Sequence, residues 1–477
     1  MKRVLVILVA TSFWGCGGFL DEVDQDLLVP EKPDHFAALL LKEFNREYPI
    51  FRTVDYMTDN MTEIASMSSK SKKAQKTTYT WQREIEIDEE GERVFQINNA
   101  WQNAYEDIAI ANYVIELIDV SDGDQDEKDY IKGEACFIRA LSYFNLLNLY
   151  GKPFDPATED ADLGVPLRTN VAIEKVYYRN TVSECYQQIE NDIVDAVDLI
   201  EGSGIEKSKW HPDARTCKLL MSRVKLYQQK WDEAIVYASE VIDEAYLSRI
   251  YQGKAFITDD NDEVLYSFYT VNPVMSIYSY DGSINQMSYS ASEELYNLYD
   301  SLDQRREAFF SVEVLGPDTY YHPTKYSNMF TKLGYGNFRV AEAYLNRAEA
   351  YAQLDDVTGA IEDIRSILLY RYTDASGIVY PASNPEVLDF ILTERRKELC
   401  FEDHHRWFDL RRMEDQPEIK HAFTLVDIFG ATYGKEIYTL LPGDNNYTLS
   451  IPLKEREINP LIRNNDRFEK IPEMVNR

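Results

Sequence analysis

The chain has 477 residues, 44% of them hydrophobic, which suffices for a large core in one helical assembly or in two or three ordinary domains. Its 82 acidic against 50 basic residues give a formal charge of −32, a field that opposes phosphate backbones and anionic membrane surfaces and so argues against nucleic acid as a partner. Aromatic residues reach 13%, with 34 Tyr; such amphipathic rings fill helix interfaces and also stack on sugars or meet a protein partner.

Met1-Lys2-Arg3 followed by an apolar core of 11 residues, Val4 to Trp14, has the size of a secretory signal and is too short to span a bilayer. Gly15-Cys16 ends it and resembles a lipobox, with Phe13 and Trp14 in place of the usual aliphatic and small residues; acylation of Cys16 is expected, with an ordinary secretory signal as the alternative. A tether with Gly17-Gly18-Phe19-Leu20-Asp21 follows. Pro33-Asp34 opens a helix to about Tyr48, striped by Phe36, Leu39, Leu40 and Phe44. Thr53 to Lys76 is polar and lacks a period, which predicts loop or short helix, and loops on a rigid scaffold commonly carry binding groups.

From Asn98 to Asp119, Trp101, Tyr105, Ile108, Asn112, Ile115 and Ile118 recur at steps of three and four and predict an amphipathic helix. The next, from about Tyr130 to Tyr150, is apolar nearly all round and should be central. Gly151-Lys152-Pro153 stops it, Leu163 to Leu167 is extended, and Thr181 starts a helix to Ile200. Arg215 to Tyr246 reads as two helices joined at Gln228-Gln229-Lys230, and Val340 to Leu369 repeats the plan with a break at Asp355-Asp356. Small residues at the crossings, Ala234, Ala238 and Ala360, resemble tetratricopeptide repeats, whose units stack because none buries its apolar face alone. Between these pairs the region from about 250 to 335 has little helical period, is crowded with Tyr266, Tyr269, Tyr278, Tyr280 and Tyr289, and alternates like a strand from Glu263 to Thr270. The fold class is therefore mainly α, helical hairpins as scaffold with an irregular, strand-containing region.

Glu394 to Arg412 reads Glu-Arg-Arg-Lys-Glu-Leu-Cys-Phe-Glu-Asp-His-His-Arg-Trp-Phe-Asp-Leu-Arg-Arg. It should begin as a helix and bury Leu399, Phe401, Trp407, Phe408 and Leu410, while Arg395, Arg396, Arg406 and Arg411 pair with Glu394, Glu398, Glu402 and Asp409. The stretch closely resembles the C-terminal signature of the SusD/RagB family. Tyr150-Gly151-Lys152-Pro153, Gly164-Val165-Pro166-Leu167, Tyr299-Asp300-x-x-Asp303-x-Arg305 and Ser450-Ile451-Pro452 resemble further family elements, whereas Arg463-Asn464-Asn465-Asp466-Arg467 departs from the family's usual close.

The resemblance implies about four hairpins and a lipid-anchored, surface-exposed outer-membrane protein. It would capture a nutrient, most readily a glycan, and deliver it to a SusC-like TonB-dependent transporter. The organisation expected is a signal over 1–15, a lipidated tether over 16–33 and one domain over 34–477. Within that domain the hairpins fall at 34–48, 98–119, 130–150, 181–247 and 340–370, and the signature and tail at 390–477. Ligand contacts in the family come from the segment between the first two helices and from the non-repeat region, which selects Asp59, Asn60, Tyr79, Trp81, Tyr269, Tyr278 and Tyr280. Aromatic faces there would meet a sugar ring, and the polar groups its hydroxyls.

Other chemistries find less support. Glu402-x-x-His405 and Glu418-x-x-His421 have the spacing used in di-iron bundles, but Pro417 interrupts the second and no partnering Glu helices are evident, so no metal is expected. Cys136, Cys185, Cys217 and Cys400 show no zinc spacing, and no phosphate loop or nucleophile elbow occurs, so neither catalysis nor a cofactor is expected. The alternatives kept are a peptide-capturing member of the same family, a surface glycoside hydrolase, whose two carboxylates 82 acids could hide, and a repeat scaffold without ligand.

Overall fold

The computed structural model describes residues 30–44, 54–65, 72, 73, 75–92, 100–171, 177–250, 256–268, 289–315, 318–325, 333, 334, 336–427 and 431–476. Cys16, Tyr269, Tyr278 and Tyr280 lie outside them. The long helices are α1 (Pro33–Phe44), α2 (Ala100–Leu117), α3 (Gln125–Tyr150), α4 (Val182–Ser203), α5 (Ala214–Tyr227), α6 (Trp231–Glu244), α7 (Val340–Gln353), α8 (Val357–Arg371), α9 (Asn384–Glu398) and α10 (His405–Arg412). None of the described helices is long and apolar enough to cross a membrane.

The chain is mainly helical, as its periodicity predicts. Helix α3 is the central one: every residue from Gly133 to Tyr150 is buried. It begins earlier than the apolar pattern suggests, because Asp124 caps it by accepting from the Asp126 and Glu127 amides. Thr181 and Glu184 form a reciprocal capping box on α4. Helices α3 and α4 approach closely at Gly133, where a Cβ would lie 2.8 Å from Ile200. Glycine there costs helix propensity and permits the contact.

Four hairpins follow in chain order, α1 with α2, α3 with α4, α5 with α6 and α7 with α8, and α6 packs on α7 to join the last two. The two hairpin turns use the same device. Gln229 (φ 57°) and Asp355 (φ 63°) are both left-handed, and each lets the chain reverse before the next helix. Ala234, Ala238 and Ala360 are fully buried at the crossings, so the small-residue pattern reports a real close approach.

Three sheets decorate this scaffold. The first has strand order β1-β3-β5-β4, built from β1 (Met61–Glu63), β3 (Tyr289–Ala291), β5 (Asp318–Pro323) and β4 (Phe310–Leu315). A second pairs β2 (Val264–Phe268) with β6 (Gly336–Arg339), and a third orders β7 (Ile419–Val426), β8 (Thr432–Leu440) and β9 (Glu473–Asn476). Strand β2 differs from its alternating pattern, for all five of its residues are buried. Tyr266 meets the α3 ring Phe137 edge-on at 5.3 Å, and the Phe268 ring lies over Gly336 on the neighbouring strand, where a Cβ would stand 2.0 Å from it.

The signature stretch forms α9, a tight corner and α10. Phe401 (φ 59°), Asp403 (φ 40°) and His404 (φ 58°) are all left-handed without being glycine. Three such residues together store on the order of 1 kcal/mol or more each, so the corner persists only because its surroundings over-determine it.

Candidate functional site

The surroundings of that corner are ionic. Asp303, Glu263, Glu394, Glu398 and Glu402 meet Arg305, Arg339, Arg371, Lys325 and Lys397, five of each sign, all buried. Glu398 is the hub: it accepts from Arg305 (3.1 Å), Arg339 (3.0 Å) and Arg371 (2.9 Å). Burial alone would raise its carboxyl, but the guanidiniums of Arg371, Arg339 and Arg305 outweigh that and hold it well below the carboxylate range. The expected pairing within the signature is corrected here. Arg395 does meet Asp409 at 2.8 Å, but Arg411 donates to the carbonyls of Asn148 and Gly151, and the glutamates take arginines from β6, α8 and the Arg305 turn. A fully buried charge needs several partners at once, which neighbours on one short helix cannot supply. His405 lies beside Glu342, its titration pushed well below 6.5 by burial and by nearby arginines, so Glu402 and His405 are both committed to this packing.

The same signature clamps the segment between α1 and α2. Asp59 accepts a fork from Arg406, and Arg396 donates to the Asn60 side chain (2.8 Å), the Asp59 carbonyl (3.0 Å) and Glu294 (2.7 Å). Burial of Asp59 is again outweighed by Arg406 and Arg396, which hold its carboxyl far below its usual value. Beneath them His421 is sandwiched between the rings of Tyr79 (4.1 Å) and Trp81 (4.2 Å). Trp81 has 0% exposure, a left-handed φ of 52° and an indole N–H donating to the Met57 carbonyl at 2.8 Å.

Four of the residues selected from sequence therefore do converge, but with their faces turned inward. Tyr79 and Trp81 stack on His421, and Asp59 and Asn60 are occupied by arginine. This corrects the expectation of open ring platforms at Tyr79 and Trp81: aromatic surface of that size is buried unless a partner is present. They position a surface that sequence reasoning missed. Ser292 donates from its amide to the Asn60 carbonyl and from its hydroxyl to the Asp59 carbonyl. It also caps the short helix Glu293–Asn297, which presents Tyr296. Tyr296 stacks on Tyr321 of β5 at 4.3 Å and lies under the Arg306 guanidinium at 4.7 Å; all three are half-buried. The buried Nε of Arg306 has no hydrogen-bond partner. Two stacked phenols with a spare guanidinium can offer a ring face and donors to a sugar or a peptide. The available signal was the Tyr320-Tyr321-His322 alternation of β5, which turns Tyr321 away from the buried pair.

The helical-hairpin scaffold thus carries a helix-borne Tyr296 and a strand-borne Tyr321 on one surface. The chain belongs to the SusD/RagB family: residues 19–226 match the SusD-like family described as "Starch-binding associating with outer membrane", and residues 259–466 match the SusD family. It is similar to the crystal structure of a SusD superfamily protein from Bacteroides thetaiotaomicron, with 23% identity, TM-score 0.73, and 91% of this chain and 100% of that chain covered. A SusD-like carbohydrate binding protein from Bacteroides vulgatus is similar at 22% identity and TM-score 0.71, covering 91% of this chain and 98% of that one. No protein of curated function matches the sequence.

Proposed function

We propose that the protein is a surface lipoprotein, anchored to the outer membrane through Cys16, that captures a glycan and passes it to a SusC-like TonB-dependent transporter. The observation that carries this reading is the half-buried Tyr296–Tyr321 stack under Arg306, in a chain whose family model is described as starch-binding. The sugar's apolar face lies on the phenols, and its hydroxyls take hydrogen bonds from Arg306 and the Tyr hydroxyls. In this reading Asp59, Asn60, Tyr79 and Trp81 hold the ledge from below, and Tyr269, Tyr278 and Tyr280, between β2 and β3 in sequence, add contacts. Membership of the family supports the transporter as partner, and the signal over residues 1–15 rests on the apolar core that ends at Cys16.

The test is calorimetry and affinity electrophoresis of the full chain against neutral polysaccharides, their oligosaccharides and peptides, with chromatography for released products. Binding of an intact glycan is expected. Product release would favour the hydrolase reading, peptide binding the peptide-capturing one, and silence towards all ligands with retained binding to an outer-membrane barrel the scaffold one.

A further inference from the structure

A cavity of about 360 Å³ lies on the hairpin scaffold, away from the ledge, where α2 meets the extended stretch after Gly164. Tyr105, Asn112 and Tyr113 line it from the helix, and Arg168 and Asn170 from the stretch. The Arg168 guanidinium lies over the Tyr105 ring at 5.2 Å and the Tyr177 ring at 4.6 Å. Its buried Nε has no hydrogen-bond partner, and no carboxylate among the described residues pairs with it. Glu116, which could reach this stretch, is engaged by the Val171 amide at 3.1 Å.

Arg306 on the ledge is stacked in the same way, whereas most of the buried arginines are paired. Arg223, Arg305, Arg339, Arg371 and Arg395, all buried, meet carboxylates, and Arg411 and Arg467 donate to backbone carbonyls. In a chain of formal charge −32, acids are available nearly everywhere. A guanidinium stacked on rings, with its Nε unpartnered among the described residues, is organised for an anion from outside.

The backbone that carries it is held from both sides. The Tyr143 hydroxyl donates to the Arg168 carbonyl (2.6 Å) and accepts from the Arg168 amide (2.7 Å). Asn112 donates to the same carbonyl at 2.9 Å and accepts from Arg139, which forms a buried ion pair with Asp192. A buried charge pair thus fixes an amide that fixes the cavity wall, the arrangement a preformed site needs. A larger cavity of about 480 Å³ beside Tyr130 lacks this feature, because its Lys209, His211 and Arg215 already donate to the Asn261 carbonyl, Glu134 and Asp213.

We propose that this cavity is a second ligand site and that it takes the carboxylate of a uronic-acid residue. The planar guanidinium fork matches a carboxylate through two parallel hydrogen bonds, and the sugar ring that carries it lies against Tyr113, with Tyr105 behind the guanidinium. A cavity of this volume sits at the small end of ordinary ligand sites, about 300–1,000 Å³, and suits one or two sugar rings. The proposal rests on glycan capture only in making a sugar the carrier of the carboxylate; the site is separate from the Tyr296–Tyr321 ledge.

The test uses the full chain and three probes, trigalacturonate, a glucuronate-containing heparosan tetrasaccharide and a mannuronate trimer, against neutral galactotriose, by calorimetry at two salt concentrations. At least one uronate should bind about tenfold tighter than the neutral sugar and lose affinity as salt rises, since opposite charges are being screened. Arg168→Lys, which keeps the charge and loses the fork, should cost about tenfold on that uronate, and Arg168→Gln more, with melting temperature and neutral-glycan binding unchanged. Because Arg168 is tied to Tyr143 and Asn112 through its backbone, these variants should fold. Equal affinity for charged and neutral sugars, full retention in Arg168→Gln, or no uronate binding overturns the site. If neutral glycans still bind in that case, capture at the ledge stands; if no glycan binds at all, both fall.

Discussion

Asp59 and Arg406 form a forked ion pair, Nε to Oδ1 at 2.8 Å and Nη2 to Oδ2 at 2.6 Å, between groups 347 residues apart. The pair fastens the polar segment after α1 to the signature helix α10, and through Ser292 to the helix that presents Tyr296. Removing Arg406 leaves the Asp59 carboxylate with the more distant Arg396 guanidinium alone. Arg406→Gln should therefore lower stability on the order of 3 kcal/mol in urea unfolding. Asp59→Asn should cost less in the Arg406→Gln background than alone. Strict additivity of the two would mean that the fork contributes nothing.

Glu398 tests the buried network in the same way at its hub. With three arginines on one carboxylate, Glu398→Gln strands positive charge where no water reaches, and a loss of roughly 3–5 kcal/mol is expected. Glu294→Gln is the control. Its side chain is 68% exposed, so its pair with Arg396 should matter by about 1 kcal/mol or less. Similar losses in both would contradict the assignment of the signature to structure.

Much of this fold was legible in the sequence because helices announce themselves locally. The stripe Trp101-Tyr105-Ile108, the all-round apolarity of α3 and the alanines at the hairpin crossings each report burial through a period. The signature residues were legible as a lock, yet their partners were not. Glu398 reads as a neighbour of Arg395 and Arg396, whereas Arg305, Arg339 and Arg371 reach it from three other parts of the chain. Long-range pairing of charge leaves no periodic trace. The ledge was missed for a related reason: Trp81 is more apolar than Tyr296 or Tyr321 and so looks the better sugar platform, but that apolarity draws it inside, against His421.

His421 gives a pH dependence. Its Nδ1 faces the Tyr79 carbonyl at 2.6 Å and its Nε2 the Thr58 carbonyl at 3.0 Å, but burial outweighs these contacts and lowers its pKa to about 4. In the unfolded chain the ring takes its proton near 6.5. As pH falls below that value the unfolded state binds the proton first, so stability is complete above about 6.5 and is lost towards pH 4, on the order of 3 kcal/mol from this group. His405 is displaced in the same direction and adds to the loss below about 6.5. Urea unfolding followed from pH 7 to 4.5 should show the decline, and His421→Gln should make it shallower without abolishing it. A decline unchanged in that variant would place the titration elsewhere.

Trp407 is fully buried and packs at 5.3 Å against the Tyr447 ring. Trp407→Ala should lower stability by about 3 kcal/mol through lost burial and the cavity left behind. Glycan affinity measured well below the melting transition should be unchanged. If stability held and affinity fell, the signature would belong to the ligand site instead.

The ledge and the sandwich beneath it make opposite predictions for substitutions of the same chemical kind. Tyr321 is half-buried at the end of a stack, so Tyr321→Ala removes ring area that a sugar would cover while disturbing little of the core. An aromatic contact of about 1 kcal/mol or slightly more corresponds to roughly a tenfold loss of glycan affinity, with the melting temperature nearly constant. Trp81→Phe removes an indole whose N–H bonds the Met57 carbonyl and whose face covers His421. It should lower the melting temperature, and weaken binding only as far as the ledge loses its footing. Calorimetric titration paired with thermal unfolding of both variants separates the two roles. Loss of affinity in Trp81→Phe at full stability, with Tyr321→Ala silent, would move the sugar from the ledge to the sandwich.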